Sequence, residues 1–186
     1  MKRCIMVSGG IDSTILHHML LEDYPDIVTV NMPKPSSKGL RDVVPDADVT
    51  IDWMPSPGYF DEEKKMPHGN NVYRGTLYTV EQKLVPNYDE IYVASNKPPE
   101  EDWFQNHPLC PRRGELIPKY PNKFKTPYQD MYKWEVMKIA IDNKIDLTGT
   151  YTCSVQPKSE KHCRECFCCK EREWSYKKLG LDVYWE

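Results

Sequence analysis

The feature that most constrains this chain is a glycine-containing turn near its N-terminus, in the stretch SGGIDST. An apolar run of strand type comes directly before it, at residues 4–7, and apolar residues with helical spacing follow it, at Ile15, Leu16, Met19 and Leu20. A strand, a tight turn and a helix start bring free backbone N–H groups and the positive end of the helix dipole around one point. Gly9 and Gly10 let the backbone approach a ligand closely. The stretch therefore predicts an anion site that suits a phosphate group.

The turn differs from two common phosphate-binding motifs. A Walker P-loop would need GxxxxGK[ST], and a dinucleotide fingerprint would need GxGxxG; the stretch has neither. An ordinary turn between a strand and a helix, with Ser8 or Asp12 capping the helix, is the alternative interpretation. The whole heptad SGGIDST is a more specific signal than its two glycines, and it favours a phosphate site over an ordinary turn.

Cysteine spacing is the second informative feature. The chain has seven cysteines, and four of them have the spacing of metal ligands, namely Cys153, Cys163, Cys166 and Cys169. Four thiolates satisfy a tetrahedral structural zinc site, which leaves no position open for a substrate. An iron–sulfur cluster accepts the C-x-x-C-x-x-C spacing as well, Cys168 or His162 could replace one ligand, and buried cysteines without a metal are a further alternative. We predict a zinc site.

The remaining pattern predicts an open parallel α/β sheet. Runs of strand type recur near residues 3–7, 27–31, 49–53 and 91–95, and helical patterns lie between them, at 13–22, 37–44 and 72–85. Such alternation is typical of a parallel sheet with helices on its faces. Because ligands bind at the carboxyl ends of parallel strands, the loops after residues 7, 31 and 95 should converge on one site.

A further helix is predicted to start just after Thr126. This threonine is a good capping residue, Pro127 suits the first helical position, and Gln129 suits the third. Apolar residues with helical spacing follow, at Met131, Trp134, Met137 and Ile141. Lys133 lies off this stripe, so we expect it to face either a ligand site or water.

Length and composition favour a cytoplasmic protein with one main domain. The 186 residues suit one full domain, and the net charge of −3 argues against a protein that coats nucleic acid by charge alone. No apolar run is long enough to span a membrane, and the first residues lack the apolar core of a signal peptide. We expect an α/β domain over residues 1–150, with a zinc-binding lobe over 151–186 packed on it.

Three segments together resemble one family: SGGIDST, TPYQDMYKWEVMKIA, and TYTCSV with HCRECFCCKER. They are similar to QueC, the 7-cyano-7-deazaguanine synthase of queuosine biosynthesis, in the PP-loop ATP pyrophosphatase superfamily. That family has a PP-loop, a helix with T-P and K-x-E, and a final C-x-x-C-x-x-C-x-x-R motif, which ends here at Arg172. The chain departs from the family after its second strand, where NMPKPSSKGLRD replaces a Y-G-Q-x-H-type segment.

The resemblance implies a Rossmann-like fold of the adenine nucleotide alpha hydrolase type, with a parallel five-stranded sheet. It also implies that the turn binds ATP, through Val7, Ser8, Gly9, Gly10, Ile11, Asp12, Ser13 and Thr14. Asp12 would organise the loop or its Mg²⁺, and Lys133 would neutralise developing charge, so both are candidate catalytic residues. Substrate contacts are expected from Asn71, Lys97, Cys110 and Arg112.

The implied activity is that of an ATP-dependent carbon–nitrogen ligase that releases AMP and pyrophosphate. It would convert the carboxylate of 7-carboxy-7-deazaguanine, or a close analogue, with ammonia to the amide and then to the nitrile. The family also suggests a homodimer, without a membrane or a stably bound nucleic acid as partner. Two other functions remain as alternatives: thiolation of tRNA or a small molecule, with Cys110 beside Arg112 as the reactive thiol, and a non-catalytic nucleotide-binding sensor.

Overall fold

The computed structural model describes residues 1–36, 39–41, 43–55, 69–107, 119–156 and 161–185. Its strands are β1 (Arg3–Val7), β2 (Val28–Asn31), β3 (Lys34–Ser36), β4 (Gly39–Arg41), β5 (Val49–Thr50), β6 (Glu90–Tyr92) and β7 (Phe124–Lys125). Its helices are α1 (Ile11–Asp23), α2 (Gly69–Lys83), α3 (Asp102–Gln105), α4 (Lys133–Asp142) and α5 (Phe167–Lys178). Five strands form one sheet in the order β5-β2-β1-β6-β7, and every pairing in it is parallel. The predicted fold class is confirmed.

The strand order reverses at β1, which lies in the centre of the sheet. From β1 the chain proceeds to β2 and β5 on one side, and it returns to β6 and β7 on the other side. At the carboxyl end of β1, Val7 pairs with Asn31 of β2, whereas Ile5 pairs with Tyr92 of β6. In open parallel sheets a ligand binds outside the carboxyl ends of the strands at such a reversal. The topology therefore points to the loops that follow β1 and β6.

Apolar side chains cover both faces of this sheet. On one face, residues of α1 and α4 pack around Ile5, among them Ile11, Ile15, Val136 and Met137. On the other face, Val80 and Leu84 pack with apolar residues of β1, β2 and β6. A sheet covered on both faces is typical of α/β proteins, because its central strands are then removed from water. Among the described residues, no helix is long and apolar enough to cross a membrane.

The helix predicted over residues 37–44 is wrong. Strands β3 and β4 pair there in antiparallel orientation, with Ser36 opposite Gly39 and Lys34 opposite Arg41. Glycine is a poor helix former, which weakens a helix at Gly39. The ladder between the two strands also satisfies backbone groups that a helix would have satisfied internally.

The helix predicted to start just after Thr126 begins later, at Lys133. Residues 127–130 form turns, in which the Gln129 N–H donates to the Thr126 carbonyl at 3.1 Å. Tyr132 is held extended by a bridge to Lys97, so the helix can start only after it. The carboxylate of Glu135 then accepts a hydrogen bond from the Tyr132 N–H at 2.6 Å, which satisfies one of the free N–H groups at the helix start.

Gly75 of α2 lies against Trp53, and we expect Gly75→Ala to destabilise the fold. A Cβ at this position would overlap the indole ring and lie 2.9 Å from the Met54 carbonyl oxygen. Alanine gains about 1 kcal/mol in helix propensity, but overpacking of this kind costs about 1–3 kcal/mol and no rotamer of alanine relieves it. Thermal unfolding should show a lower Tm by several degrees. Gln82→Ala, at an exposed position of the same helix, is the control and should leave the Tm within about 2 °C.

Candidate functional site

The turn after β1 has the geometry of an anion cradle. Gly10 is the N-cap residue of α1, and within the described part of the chain no side-chain hydrogen bond caps the helix there. The first backbone N–H groups of α1 are therefore left for a ligand or water, which argues against the interpretation of the turn as an ordinary capped helix start. Gly9 has a φ of +72°, a conformation that glycine adopts without strain. A Cβ on Gly10 would lie 3.6 Å from the Tyr151 carbonyl oxygen, so the loop packs closely against a later part of the chain.

Hydroxyl groups hold the loop in this shape. The Ser13 hydroxyl accepts a hydrogen bond from the Ser8 N–H and donates one to the Gly10 carbonyl, both at 3.2 Å. The Thr14 hydroxyl donates to the same carbonyl at 3.0 Å. Ser13 is buried, whereas Ser8 and Thr14 are half-buried and keep contact with solvent. The Ser8 hydroxyl is placed to donate to a bound anion, whereas the Thr14 hydroxyl would first have to release the Gly10 carbonyl.

Asp12, Lys133 and Glu171 form a charged triad beside the loop, in which Lys133 and Glu171 are buried and Asp12 is half-buried. The Lys133 ammonium lies 3.0 Å from Asp12 Oδ2 and 2.7 Å from Glu171 Oε2. Only 5% of the Lys133 side chain is exposed. Asp12 lies in the first turn of α1, Lys133 is the first residue of α4, and Glu171 belongs to α5. Three helices thus meet in one ion network, and Lys133 faces the candidate site rather than water.

The charges of the triad do not cancel. Burial alone would lower the pKa of Lys133, but the carboxylates of Asp12 and Glu171 raise it above the ordinary value, so the amine is an ammonium. Burial raises the pKa of Glu171, while Lys133 and the side chain of Asn96, in the loop after β6, oppose that shift. Two carboxylates therefore share one cation. Asp12 Oδ1 is buried and has no hydrogen-bond partner among the described residues.

This free carboxylate oxygen fits a hard cation. Mg²⁺ prefers carboxylate and phosphate oxygens and rarely takes all its ligands from protein. Asp12 Oδ1 lies in the same turn of chain as the N–H groups that would face a phosphate. The site can therefore hold a phosphate group and its Mg²⁺ side by side.

The residues expected to contact a substrate are only partly described. Lys97 lies in the loop after β6, with its ammonium 3.8 Å from the centroid of the Tyr132 ring. Asn71 belongs to α2, but its side chain lies outside the described residues, as do Cys110 and Arg112 altogether. Of these four candidates, the structure thus describes only the side chain of Lys97. This residue follows the carboxyl end of β6, as the glycine turn follows the carboxyl end of β1.

The four predicted metal ligands come together in space. One ligand atom from each of Cys153, Cys163, Cys166 and Cys169 lies within 4.8 Å of the others. The Sγ atoms of Cys153 and Cys166 are 4.0 Å apart, and those of Cys163 and Cys169 are 3.9 Å apart. A tetrahedral ion with metal–sulfur bonds of about 2.3 Å would separate its sulfurs by about 3.8 Å. This thiol cluster fits a four-coordinate metal ion.

The two alternative ligands lie outside the thiol cluster. His162 uses both ring nitrogens elsewhere: Nδ1 donates to the Trp185 carbonyl at 2.8 Å, and Nε2 accepts from the Thr152 N–H at 3.3 Å. Cys168 is separate from the four clustered thiols. Burial raises the pKa of Cys168 to about 12, and the nearby charge of Lys133 opposes this shift. Neither residue is needed as a metal ligand, because the four clustered thiols already make a complete tetrahedral set.

Two further charged residues of the site, Glu171 and Arg172, are buried although they lie in a charged run of the sequence. Glu171 lies within the run KERE, which looks like the solvated face of a helix, yet it is only 4% exposed. Arg172 next to it is fully buried and donates to the carbonyls of Thr150 at 3.1 Å and Tyr184 at 2.8 Å. The family motif marks Arg172 by its spacing, but nothing local marks Glu171.

Comparison with known proteins agrees with this geometry. The family model described as queuosine biosynthesis protein QueC matches residues 114–180, a range that contains Lys133 and the thiol cluster. A 7-cyano-7-deazaguanine synthase from Caldicellulosiruptor saccharolyticus is 23% identical over an alignment of 212 positions, gaps included. The alignment covers 97% of this chain and 93% of that relative. The resemblance to the QueC family is confirmed. The QueC model thus matches the part of the chain that supplies the lysine, the buried glutamate and the four thiols.

One solved structure also aligns with most of the chain. It is the U34-tRNA thiolase NcsA from Methanococcus maripaludis with its [4Fe-4S] cluster. The sequence identity is 14% and the TM-score is 0.48, and the alignment covers 95% of this chain and 67% of that one.

Proposed function

We propose that this chain is an ATP-dependent synthase of the QueC type, acting on 7-carboxy-7-deazaguanine or a close analogue. The observation that carries the proposal is the charged triad at the glycine turn, where Lys133 faces Asp12 beside free N–H groups of α1. Such a site suits an enzyme that binds the phosphates of ATP and stabilises charge during their transfer. The similarity to a 7-cyano-7-deazaguanine synthase supports the substrate class.

The reaction consists of two activations of the same carbon. The substrate carboxylate attacks the α-phosphorus of ATP, and the bond to pyrophosphate breaks. Ammonia then attacks the acyl carbon, loses a proton, and AMP leaves with the electron pair of the broken C–O bond, which gives the amide. The amide oxygen then attacks the α-phosphorus of a second ATP and pyrophosphate leaves, after which loss of AMP and two protons from the adenylated amide gives the nitrile. No covalent bond to the protein is required.

Residues of this chain bind and orient the phosphates of ATP and neutralise their negative charge. The N–H groups at the start of α1 and the hydroxyl of Ser8 bind phosphate oxygens, and Lys133 offsets the negative charge that grows around the α-phosphate. Asp12 Oδ1 would hold Mg²⁺, which neutralises and orients the phosphates. The thiol cluster would hold Zn²⁺ as a closed structural site and contribute folding free energy to residues 151–186.

Product analysis by mass spectrometry tests the proposal. The chain is incubated with ATP, Mg²⁺, ammonium and 7-carboxy-7-deazaguanine, and we expect the nitrile together with AMP and pyrophosphate. The amide as sole product would identify a relative that stops after the first activation. Absence of AMP would contradict the proposal. Metal analysis of the same sample should find zinc in a colourless protein, whereas a brown protein with iron would favour the thiolation alternative.

Asp12→Asn should lower the rate of AMP formation about 100-fold or more. The substitution keeps the shape of the side chain but removes the charge that would ligate Mg²⁺ and face Lys133. Lys133 keeps its partner Glu171, so the fold and the metal content should persist. Asp23→Asn, at an exposed position of the same helix, is the matched control. An unchanged rate in Asp12→Asn would overturn the assignment of the turn as an ATP site.

A further inference from the structure

Two contacts join the thiol cluster to the glycine turn. The Tyr151 N–H, two residues before the ligand Cys153, donates to the Gly9 carbonyl at 2.8 Å. Glu171, two residues after the ligand Cys169, reaches Lys133 at 2.7 Å, and Lys133 in turn reaches Asp12. The thiol cluster and the glycine turn are therefore linked twice, once just before Cys153 and once just after Cys169.

The position of Glu171 depends on how α5 is held. Cys166 is the N-cap residue of α5, and Cys169 lies in its first turn, so a metal ion bound to both would fix the start of this helix. Arg172, next to Glu171, is bonded to the carbonyls of Thr150 and Tyr184 and keeps the helix from rotating. Glu171 therefore points at Lys133 only while the first turn of α5 stays in place.

A second observation is that both charged partners of this contact are buried, which costs desolvation free energy. Glu171 is 4% exposed and Lys133 is 5% exposed, and burying two charges removes both from water. Apolar residues of α4 and α5 pack in one core cluster, and replacing a buried ion pair by apolar side chains is often neutral or stabilising. A surplus carboxylate in the triad instead keeps the Lys133 ammonium between two anions at the edge of the loop.

We propose that Glu171 is a positioning residue that couples the thiol cluster to the ATP loop by holding Lys133 against Asp12. When the cluster carries its metal, α5 presents Glu171 to Lys133 and the loop has its cation in place. When the metal is lost, Lys133 loses this second anchor and nucleotide binding weakens. Coupling between two sites is reciprocal, so a bound nucleotide must raise the affinity for the metal by the same factor. The proposal rests on the proposed function in one respect, namely that the loop binds ATP.

Zinc affinity measured with and without a nucleotide tests the coupling. The full-length, zinc-loaded protein is titrated with a chromophoric chelator at constant Mg²⁺, in the presence or absence of saturating α,β-methylene-ATP, which cannot be cleaved at the α-phosphate. We expect the nucleotide to raise the apparent zinc affinity of the unaltered protein about fivefold or more. A zinc affinity that does not respond to bound nucleotide overturns the proposal.

Three variants assign the coupling to the charge of Glu171. Glu171→Gln keeps the side-chain length and should lose most of the nucleotide effect, whereas Glu171→Asp keeps the charge and should retain more of it. Glu173→Gln is the matched control, because Glu173 lies on the same helix but pairs only with Lys170 and Lys177 among the described residues. If Gln retains more of the effect than Asp, Glu171 only fills space and its role as a positioning residue is refuted.

Calorimetric titration with the same nucleotide separates this proposal from the proposed function. No binding of the nucleotide to the unaltered protein overturns both proposals. Binding without any change in zinc affinity overturns the coupling alone and leaves the ATP site intact. If Glu171→Gln fails to fold, the unaltered protein decides whether coupling exists, and Glu171→Asp against Glu173→Gln decides whether Glu171 carries it.

Discussion

Replacement of Lys133 by methionine is expected to abolish ATP cleavage and to destabilise the fold at the same time. Methionine matches the four-atom stem of lysine but lacks the ammonium group, so it leaves the carboxylates of Asp12 and Glu171 together without their cation. Removing one partner of a buried ion pair costs about 3–5 kcal/mol, and removing a charge that stabilises a transition state lowers kcat about 10²- to 10³-fold. AMP formation and thermal unfolding measure the two effects.

A double variant separates the two effects of Lys133. In Lys133→Met/Glu171→Met an apolar pair replaces the two most buried ions and leaves only the half-buried Asp12 carboxylate unpaired, so we expect part of the lost stability to return while ATP cleavage stays absent. Lys138→Met is the control, because Lys138 lies on the same helix but is exposed and pairs with Asp142 at the surface. Normal AMP formation by Lys133→Met would refute the catalytic role of this lysine.

Replacement of Cys166 by serine is expected to release the metal and to unfold the C-terminal segment. Cys166 supplies one of four clustered thiols and occupies the N-cap position of α5, so its replacement removes a metal ligand from the start of that helix. Structural zinc contributes on the order of 10 kcal/mol in small peptide sites, so metal content should fall from one equivalent to a small fraction. Elemental analysis and a thermal unfolding curve provide the measurement.

Cys168 offers a matched control for this experiment. It is the immediate neighbour of the ligand Cys169, yet it is not one of the four clustered thiols. Cys168→Ser should therefore keep one equivalent of metal and an unfolding curve close to that of the unaltered protein. A full equivalent of metal in Cys166→Ser, or loss of metal in Cys168→Ser, would contradict the assignment of the ligands.

Local sequence signals predicted the parts of the fold that depend on neighbouring residues. Alternating strand and helix patterns indicate the parallel sheet, and the spacing of Cys163, Cys166 and Cys169 indicates the thiol cluster. The same reasoning failed at residues 37–44, because pairing between β3 and β4 outweighs a weak local helix preference. Short-range patterns therefore predict elements better where no long-range pairing competes.

The triad could not be predicted in the same way. Asp12, Lys133 and Glu171 lie on three helices far apart in the chain, and no spacing rule relates them. Lys133 could be singled out because it lies off an apolar stripe, but Glu171 lies in a charged run that gives no sign of burial. The position of His162 is similar, because only its two hydrogen bonds show that it is not free to bind the metal.

The contact between Tyr151 and Gly9 has a consequence for the way the protein is made. On the ribosome, the glycine turn is synthesised well before Tyr151, whose backbone N–H packs on it, and before Glu171, which completes its charges. A nascent chain that stops before residue 150 contains all five strands of the parallel sheet, yet its glycine turn lacks these two contacts. The glycine turn therefore reaches its final set of contacts only after residues 151–171 have been synthesised.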